Sequence, residues 1–274
     1  LDIQYKSPEQ LLLMRAAGLL VASTLARLRE AVAPGVSTAD LDALAEEHIR
    51  GGGGIPSFKG YYGYPASLCT SVNEQIVHAI PSPTQVLRKG DVLSIDCGAI
   101  LDGWHADAAI TVGVGEIRPE AARMITVAED AIWAGLAAAA AGIASRRGRL
   151  TDISAAIEAH VRASGRYGIV RGYGGHGIGT EMHQDPHVLN YGRPGKGPRL
   201  APGMALAIEP MITLGSPASV ELPDGWTVVT RDGSVAVHVE HTITFFDDGV
   251  CVTTAEDGGR TRLGEAALTS RVPA

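Results

Sequence analysis

Apolar and polar positions along the chain change period several times and divide it into four blocks. From Pro8 to about Glu30 the run "PEQLLLMRAAGLLVASTLARLRE" repeats every three to four residues, the helical period. Ahead of it Ser7 can cap, Pro8 suits the first helical position and Gln10 completes a capping box. Thr38 is the expected cap of a second helix that stops in the glycine run Gly51–Gly54. From 64 to 113 the pattern turns to short apolar runs punctuated by glycine and proline, which predicts strands. Pro119 opens a long alanine-rich helix to about 141, and Thr151 is expected to cap another to about Ala163. Strands and loops resume from Ile169 to Val252. Helices, strands, helices, strands, without strand–helix alternation, predict an α+β fold with largely antiparallel sheet. The two halves share an element order but no sequence repeat. No low-complexity linker interrupts them, so one domain over 1–274 is expected, with its core at about 7–252 and a tail at about 258–274.

One stretch breaks the apolar pattern in a chemically informative way. "SIDCGAILDGWHAD", residues 94–107, reads as a buried hairpin, yet it carries Asp96 and Asp107 with no lysine or arginine between Leu93 and Gly113. Asp102–Gly103 is a strong two-residue turn signal. That turn pairs Leu101 with Trp104, Ile100 with His105, Gly98 with Asp107 and Asp96 with Ala109. Both aspartates then share one face, about 7–8 Å apart on the diagonal. Buried carboxylates are costly unless something positive sits beside them; the bland alternative is that they cap turns.

Later segments repeat the anomaly. His176 lies in the glycine-rich "GYGGHGIGTEMHQDP", Glu209 follows the apolar run "ALAI" and precedes Pro210, and Glu240 stands in alternating "AVHVEHT" with His238 and Thr242 on its face. Four acids and an imidazole on inward-looking strands call for a shared cation. Without thiolate, the donor set suits two borderline-hard divalent ions such as Mn, Co, Fe or Zn. A pair about 3.5–4 Å apart could share a hydroxide and polarise a carbonyl. His105, on the aspartate face, and His238 are read as orienting the ligands from behind.

Composition narrows the partners. Of 274 residues, 23 are basic and 30 acidic, for a net charge of −7, and the longest basic run is "RRGR" at 146–149. That argues against a nucleic-acid groove. The alanine-rich stretch near 131–144 is too short and weakly apolar to span a membrane, and "LDIQYKSPEQ" lacks the plan of a signal peptide. Cys69, Cys97 and Cys251 form no CxxC pair, which fits a reducing, cytoplasmic setting. The lone GxGxxG match at Gly172, Gly174 and Gly177 has no amphipathic helix after it to bind a dinucleotide.

These segments together resemble the type I methionine aminopeptidases. The resemblance rests on "YYGYPASLCTSVNEQIVHAIP", "SIDCGAILDGWHADAA", "GYGGHGIGTEMHQDP", "AIEPM" and "DGWTV" followed by "VEHT", and it runs from about residue 7 to Val252. Only 26 positions separate His183 from Glu209, which leaves no room for the insertion of the type II enzymes. The resemblance implies the pita-bread fold, and a dinuclear metallopeptidase that removes initiator methionine before a small second residue through an activated hydroxide. It implies two divalent metal ions on Asp96, Asp107, His176, Glu209 and Glu240, with Asp107 and Glu240 bridging. It implies that His78 and His183 contact the substrate amide or its oxyanion and that Glu209 also shuttles the proton. The methionine pocket it implies has walls at Tyr61, Tyr64, Cys69 and Trp226, with Phe58 and Met182 where the family varies. Its substrates would be N-termini of nascent polypeptides near the ribosome, met by a monomer in the cytoplasm. Xaa-Pro peptidases share the ligand order but carry a large N-terminal domain, which would not fit before Ser7. Non-catalytic relatives that only bind peptides lose metal ligands, whereas all five are present here.

Overall fold

The computed structural model describes residues 1–268. Helix α1 (Pro8–Ala31) starts on the expected box: the Ser7 hydroxyl accepts from Gln10 N, and the Gln10 side chain accepts from Ser7 N. Helix α2 (Thr38–Gly51) differs by one residue from expectation. Its cap is Ser37, because the acid three positions on is Asp40, whose Oδ2 accepts from Ser37 N at 2.9 Å. Helix α3 (Pro119–Ser145) outlasts the expected end. Gly142 lets its backbone pass close to Gly148, where a Cβ would lie 2.9 Å from Gly148 Cα. Helix α4 (Leu150–Ser164) is capped by Arg149 rather than Thr151; Asp152 accepts from Arg149 N at 2.7 Å, while the Thr151 hydroxyl ties the helix to Lys196. Contrary to the reading of its alanine-rich stretch as too short and weakly apolar to span, α3, like α1, is long and apolar enough to cross a membrane, but half or more of each apolar window is buried inside the structure, 50% for α1 and 56% for α3.

Among the described residues every ladder between strands is antiparallel, where the element order predicts a largely antiparallel sheet. In the first half, α1 and α2 bury Leu25, Leu28, Leu41 and Ile49 against the inward residues of Val92–Leu101 and Trp104–Gly113. In the second half, α3 and α4 cover a larger core that includes Leu136, Ile153, Ile208, Ile243 and Phe245. Each half therefore presents helices outward and sheet inward. The tail read at about 258–274 forms a short helix at Arg260–Leu263 and a bridge from Ala267 to Val250; residues 269–274 lie outside the described residues.

The central hairpin has the expected register. Leu101 faces Trp104, Gly98 faces Asp107 and Asp96 faces Ala109. Asp102 and Gly103 have φ of 50° and 82°, the left-handed pair that a twisted hairpin turn needs. Glu209 and Glu240 depart from a simple strand reading. Two neighbouring segments run from one sheet into another: Ala205–Ile208 pairs with His241–Phe246, and Met211–Thr213 pairs with Ala236–His238. Glu209 and Glu240 sit at the break between those pairings. Glu240 is held there by a bridge to Ala109, with N···O distances of 2.9 and 3.2 Å.

Candidate metal centre and active site

A cleft between the two halves is lined by Asp96, Asp107, His176, Glu209 and Glu240, with His78 and His183 beside them. Each is delivered by a local feature of the sequence. Asp96 and Asp107 come from adjacent arms of the hairpin. The Thr242 hydroxyl clamps Asp107 from across the cleft, accepting from its N and donating to its O. His176 sits between two glycines that allow close backbone approach: a Cβ on Gly175 would strike Ala207 O, and one on Gly177 would strike Asp185 O. The imidazole is fixed by its Nδ1, 2.9 Å from Gly177 O, so Nδ1 carries the proton and the lone pair of Nε2 is turned into the carboxylate cluster, where a cation could take it. That Nε2 lies 3.7 Å from Glu209 Oε1 and 4.0 Å from Asp107 Oδ2.

The electrostatics answer the question raised by the hairpin. Burial, and then mutual repulsion, hold Asp96, Glu209 and Glu240 well above the usual carboxylate range, and burial pushes Asp107 up to about 7. No protein cation relieves them. Among the described residues only His176 and His238 come within ion-pair distance, and burial lowers both to about 3, leaving them neutral. Asp96 Oδ1, Asp107 Oδ1, Glu240 Oε1 and His238 Nε2 are buried without a hydrogen-bond partner. Orphaned acceptors beside neutral imidazoles are the donor set that a divalent cation requires. Two three-donor groups are compact enough for an ion: Asp107, His176 and Glu240, and Glu209, His238 and Glu240. Glu240 belongs to both groups, Asp107 to one, and Asp96 to neither.

The same cavity, about 100 Å³ in all, has an apolar end beyond the acids. Phe58, Tyr64, Cys69 and Met182 are buried in it, with Tyr61 and Trp226 at its edge. Tyr64 stacks edge-on to Trp226 at 4.9 Å, and its hydroxyl is directed to the Leu68 and Ala79 carbonyls. Gly98 makes space for the Phe58 ring, since a Cβ there would lie 2.8 Å from it. The Cys69 thiol is pushed well up by burial and by Asp96, so it is a neutral wall group. His183 Nδ1 is 2.7 Å from the Tyr61 hydroxyl. Burial lowers His183, and lowers His78 to about 4.

The two histidines read as orienting residues behave differently. His105 bonds Ser57 Oγ through Nδ1 at 2.9 Å, and its backbone N donates to Gly179 O; no carboxylate of the cluster is among its hydrogen-bond partners. His238 points straight at the cluster. Asn190 carried no signal in the sequence, yet its Nδ2 donates to Glu209 O at 3.0 Å and so pins the bend that presents Glu209. Tyr173, edge-on to His78 at 5.9 Å, was likewise silent.

Residues 12–245 match the model of metallopeptidase family M24. The chain is 52% identical over 244 residues to a methionine aminopeptidase of Clostridium acetobutylicum, covering 89% of this chain and 95% of that protein. It is 51% identical over 257 residues to methionine aminopeptidase 1 of Mycobacterium tuberculosis, with 92% and 95% covered. The crystal structure of methionine aminopeptidase from Thermotoga maritima superposes with a TM-score of 0.87 at 37% identity, covering 93% of this chain and all of that one. With the pita-bread architecture, the buried acid–imidazole cluster and these likenesses in hand, the chain belongs to the type I methionine aminopeptidases of the M24 metallopeptidase family.

Proposed function

We propose that the chain removes N-terminal methionine by seating its side chain in the Phe58–Tyr64–Cys69–Met182–Trp226 pocket, against a centre of two divalent cations held by Asp96, Asp107, His176, Glu209 and Glu240. The observation that carries this reading is the join itself: one cavity is walled by aromatic and apolar side chains at one end and by buried, unpartnered carboxylates at the other. Bound cations of the Mn, Co, Fe or Zn kind supply Lewis acidity, which makes a hydrolytic nucleophile available near neutral pH.

The chain's own groups do the rest. Glu209 accepts a proton from the attacking water at its carboxylate and returns it to the leaving amine. With the Tyr61 hydroxyl donating to Nδ1, His183 carries its proton on Nε2, ready for the oxygen that gains charge in the tetrahedral intermediate. His78 acts as a second neutral imidazole on the substrate amide. The aromatic walls exclude water and select a flexible apolar side chain. One apolar difference discriminates by only about 1–3 kcal/mol, so selectivity is graded. The physiological substrates under this reading are nascent chains with a small second residue, met in the cytoplasm near the ribosome by a monomer.

The test is release of methionine from Met-Ala-Ser by protein loaded with Mn or Co, beside Ala-Pro as a control. Cleavage of the first peptide and not the second is expected. Folded, metal-loaded protein that frees no methionine with any of these ions would overturn the reading.

A further inference from the structure

His238 stands out among the groups that the proposed reaction leaves unused. It is 1% exposed, and its backbone is locked: N lies 3.2 Å from both Ser94 Oγ and Thr111 Oγ1, and its O accepts from Thr111 Oγ1 at 2.6 Å. Its Nε2 is buried without a hydrogen-bond partner and faces Glu209 Oε2 at 3.5 Å and Glu240 Oε2 at 3.9 Å. An imidazole that merely oriented a carboxylate would sit within a charge-assisted hydrogen bond, about 2.7–2.9 Å. Two donors bound to one ion at about 2.0–2.2 Å stand roughly 3.0–3.5 Å apart instead. The separation from Glu209 matches the second case. His176 stands in a similar relation to the cluster, with Nε2 at 3.7 and 4.0 Å from two carboxylates.

We infer that His238 is a sixth protein ligand of the centre, giving the second cation an imidazole through Nε2 just as His176 gives one to the first. The inference rests on the reading that the acidic cluster holds two divalent cations. Its consequence is specificity for the metal. With one nitrogen donor per ion, neither position is purely oxygen-lined, and both favour Zn, Co or Fe over Mn or Mg. The two compact donor groups, each one imidazole and two carboxylates with Glu240 in common, give that arrangement its geometry.

The experiment loads the full chain with two equivalents of zinc and counts imidazoles by X-ray absorption fine structure, for the native protein and for His238→Gln. About one imidazole per zinc is expected in the native protein and about half that in the variant. Zinc affinity at one position should fall about tenfold or more, with a smaller loss for manganese. An unchanged count and unchanged affinities in a variant that still binds two zinc ions would overturn the inference and leave the dinuclear reading intact. A native protein that takes up no zinc, cobalt or manganese would overturn both. If His238→Gln fails to fold, the native count decides alone, and half an imidazole per zinc overturns the assignment.

Discussion

Glu209 shows how much chemistry one carboxylate can concentrate. Its two oxygens face different imidazoles, His176 on Oε1 and His238 on Oε2, and its backbone carbonyl is held by Asn190. The group is thus aimed by neighbours from three parts of the chain before any ligand arrives. His183 is aimed by a single bond, from Tyr61, and it faces the pocket in neutral form. A neutral donor directed at a developing oxyanion acts mainly in the transition state. His183→Ala should therefore lower kcat by about 10²–10³ while KM changes little. Steady-state kinetics on a Met-Ala-Ser peptide check this; a raised KM with kcat intact would make His183 a ground-state contact instead.

Elements place these residues, and here the sequence was legible unevenly. The hairpin could be read to the residue, because the Asp102–Gly103 turn sets the register and the register puts both aspartates on one face. Glu209 and Glu240 could be seen as acids in apolar runs, but not as residues at a break between sheets. That break depends on Ala109, more than a hundred positions away from Glu240, and no local period records it. Ser37 and Thr38 can each cap, and the side chain of Asp40, three positions beyond Ser37, decides for Ser37. The pocket walls Tyr61, Tyr64 and Trp226 came only from family resemblance, since aromatics in loops have no period to betray a shared cavity. The glycines around His176 make the dependence on elements testable. Gly177→Ala would push a Cβ into the Asp185 carbonyl, a backbone atom that cannot rotate away. Overpacking of this kind costs about 1–3 kcal/mol. The strand Gly175–Gly177 should shift, lowering the melting temperature and, by moving His176, weakening cation binding. Thermal unfolding with and without manganese measures both effects, and a variant as stable and as responsive to manganese as the native chain would show that the close approach is dispensable.

At the scale of the whole molecule, two helix-covered halves enclose a store of like charge that the polypeptide alone does not neutralise. The fold's stability should accordingly depend on pH and on cations together. Unfolded carboxyls titrate near 4. In the folded chain Asp107 titrates at about 7, and Asp96, Glu209 and Glu240 are well above their usual range, so the folded state binds more protons and loses stability as pH rises. Buried histidines act in the opposite sense. His176 and His238 lie at about 3 and His78, His105 and His241 at about 4, so acidification below about 6.5 protonates only their unfolded forms and costs stability there. Lys6, lowered to about 8, adds a stabilising slope only above that pH. Between pH 6.5 and 8 the histidine contribution fades and the carboxylates come to dominate. Chelator-treated protein should show a melting temperature that falls across this window. Protein refilled with manganese or cobalt should melt higher and stay nearly level, since a ligand at 100 times its Kd adds about 2.7 kcal/mol to the folded state. Scanning calorimetry on both forms decides it: parallel pH profiles would mean that the cations do not neutralise this charge, and that the four acids are stabilised by some other means.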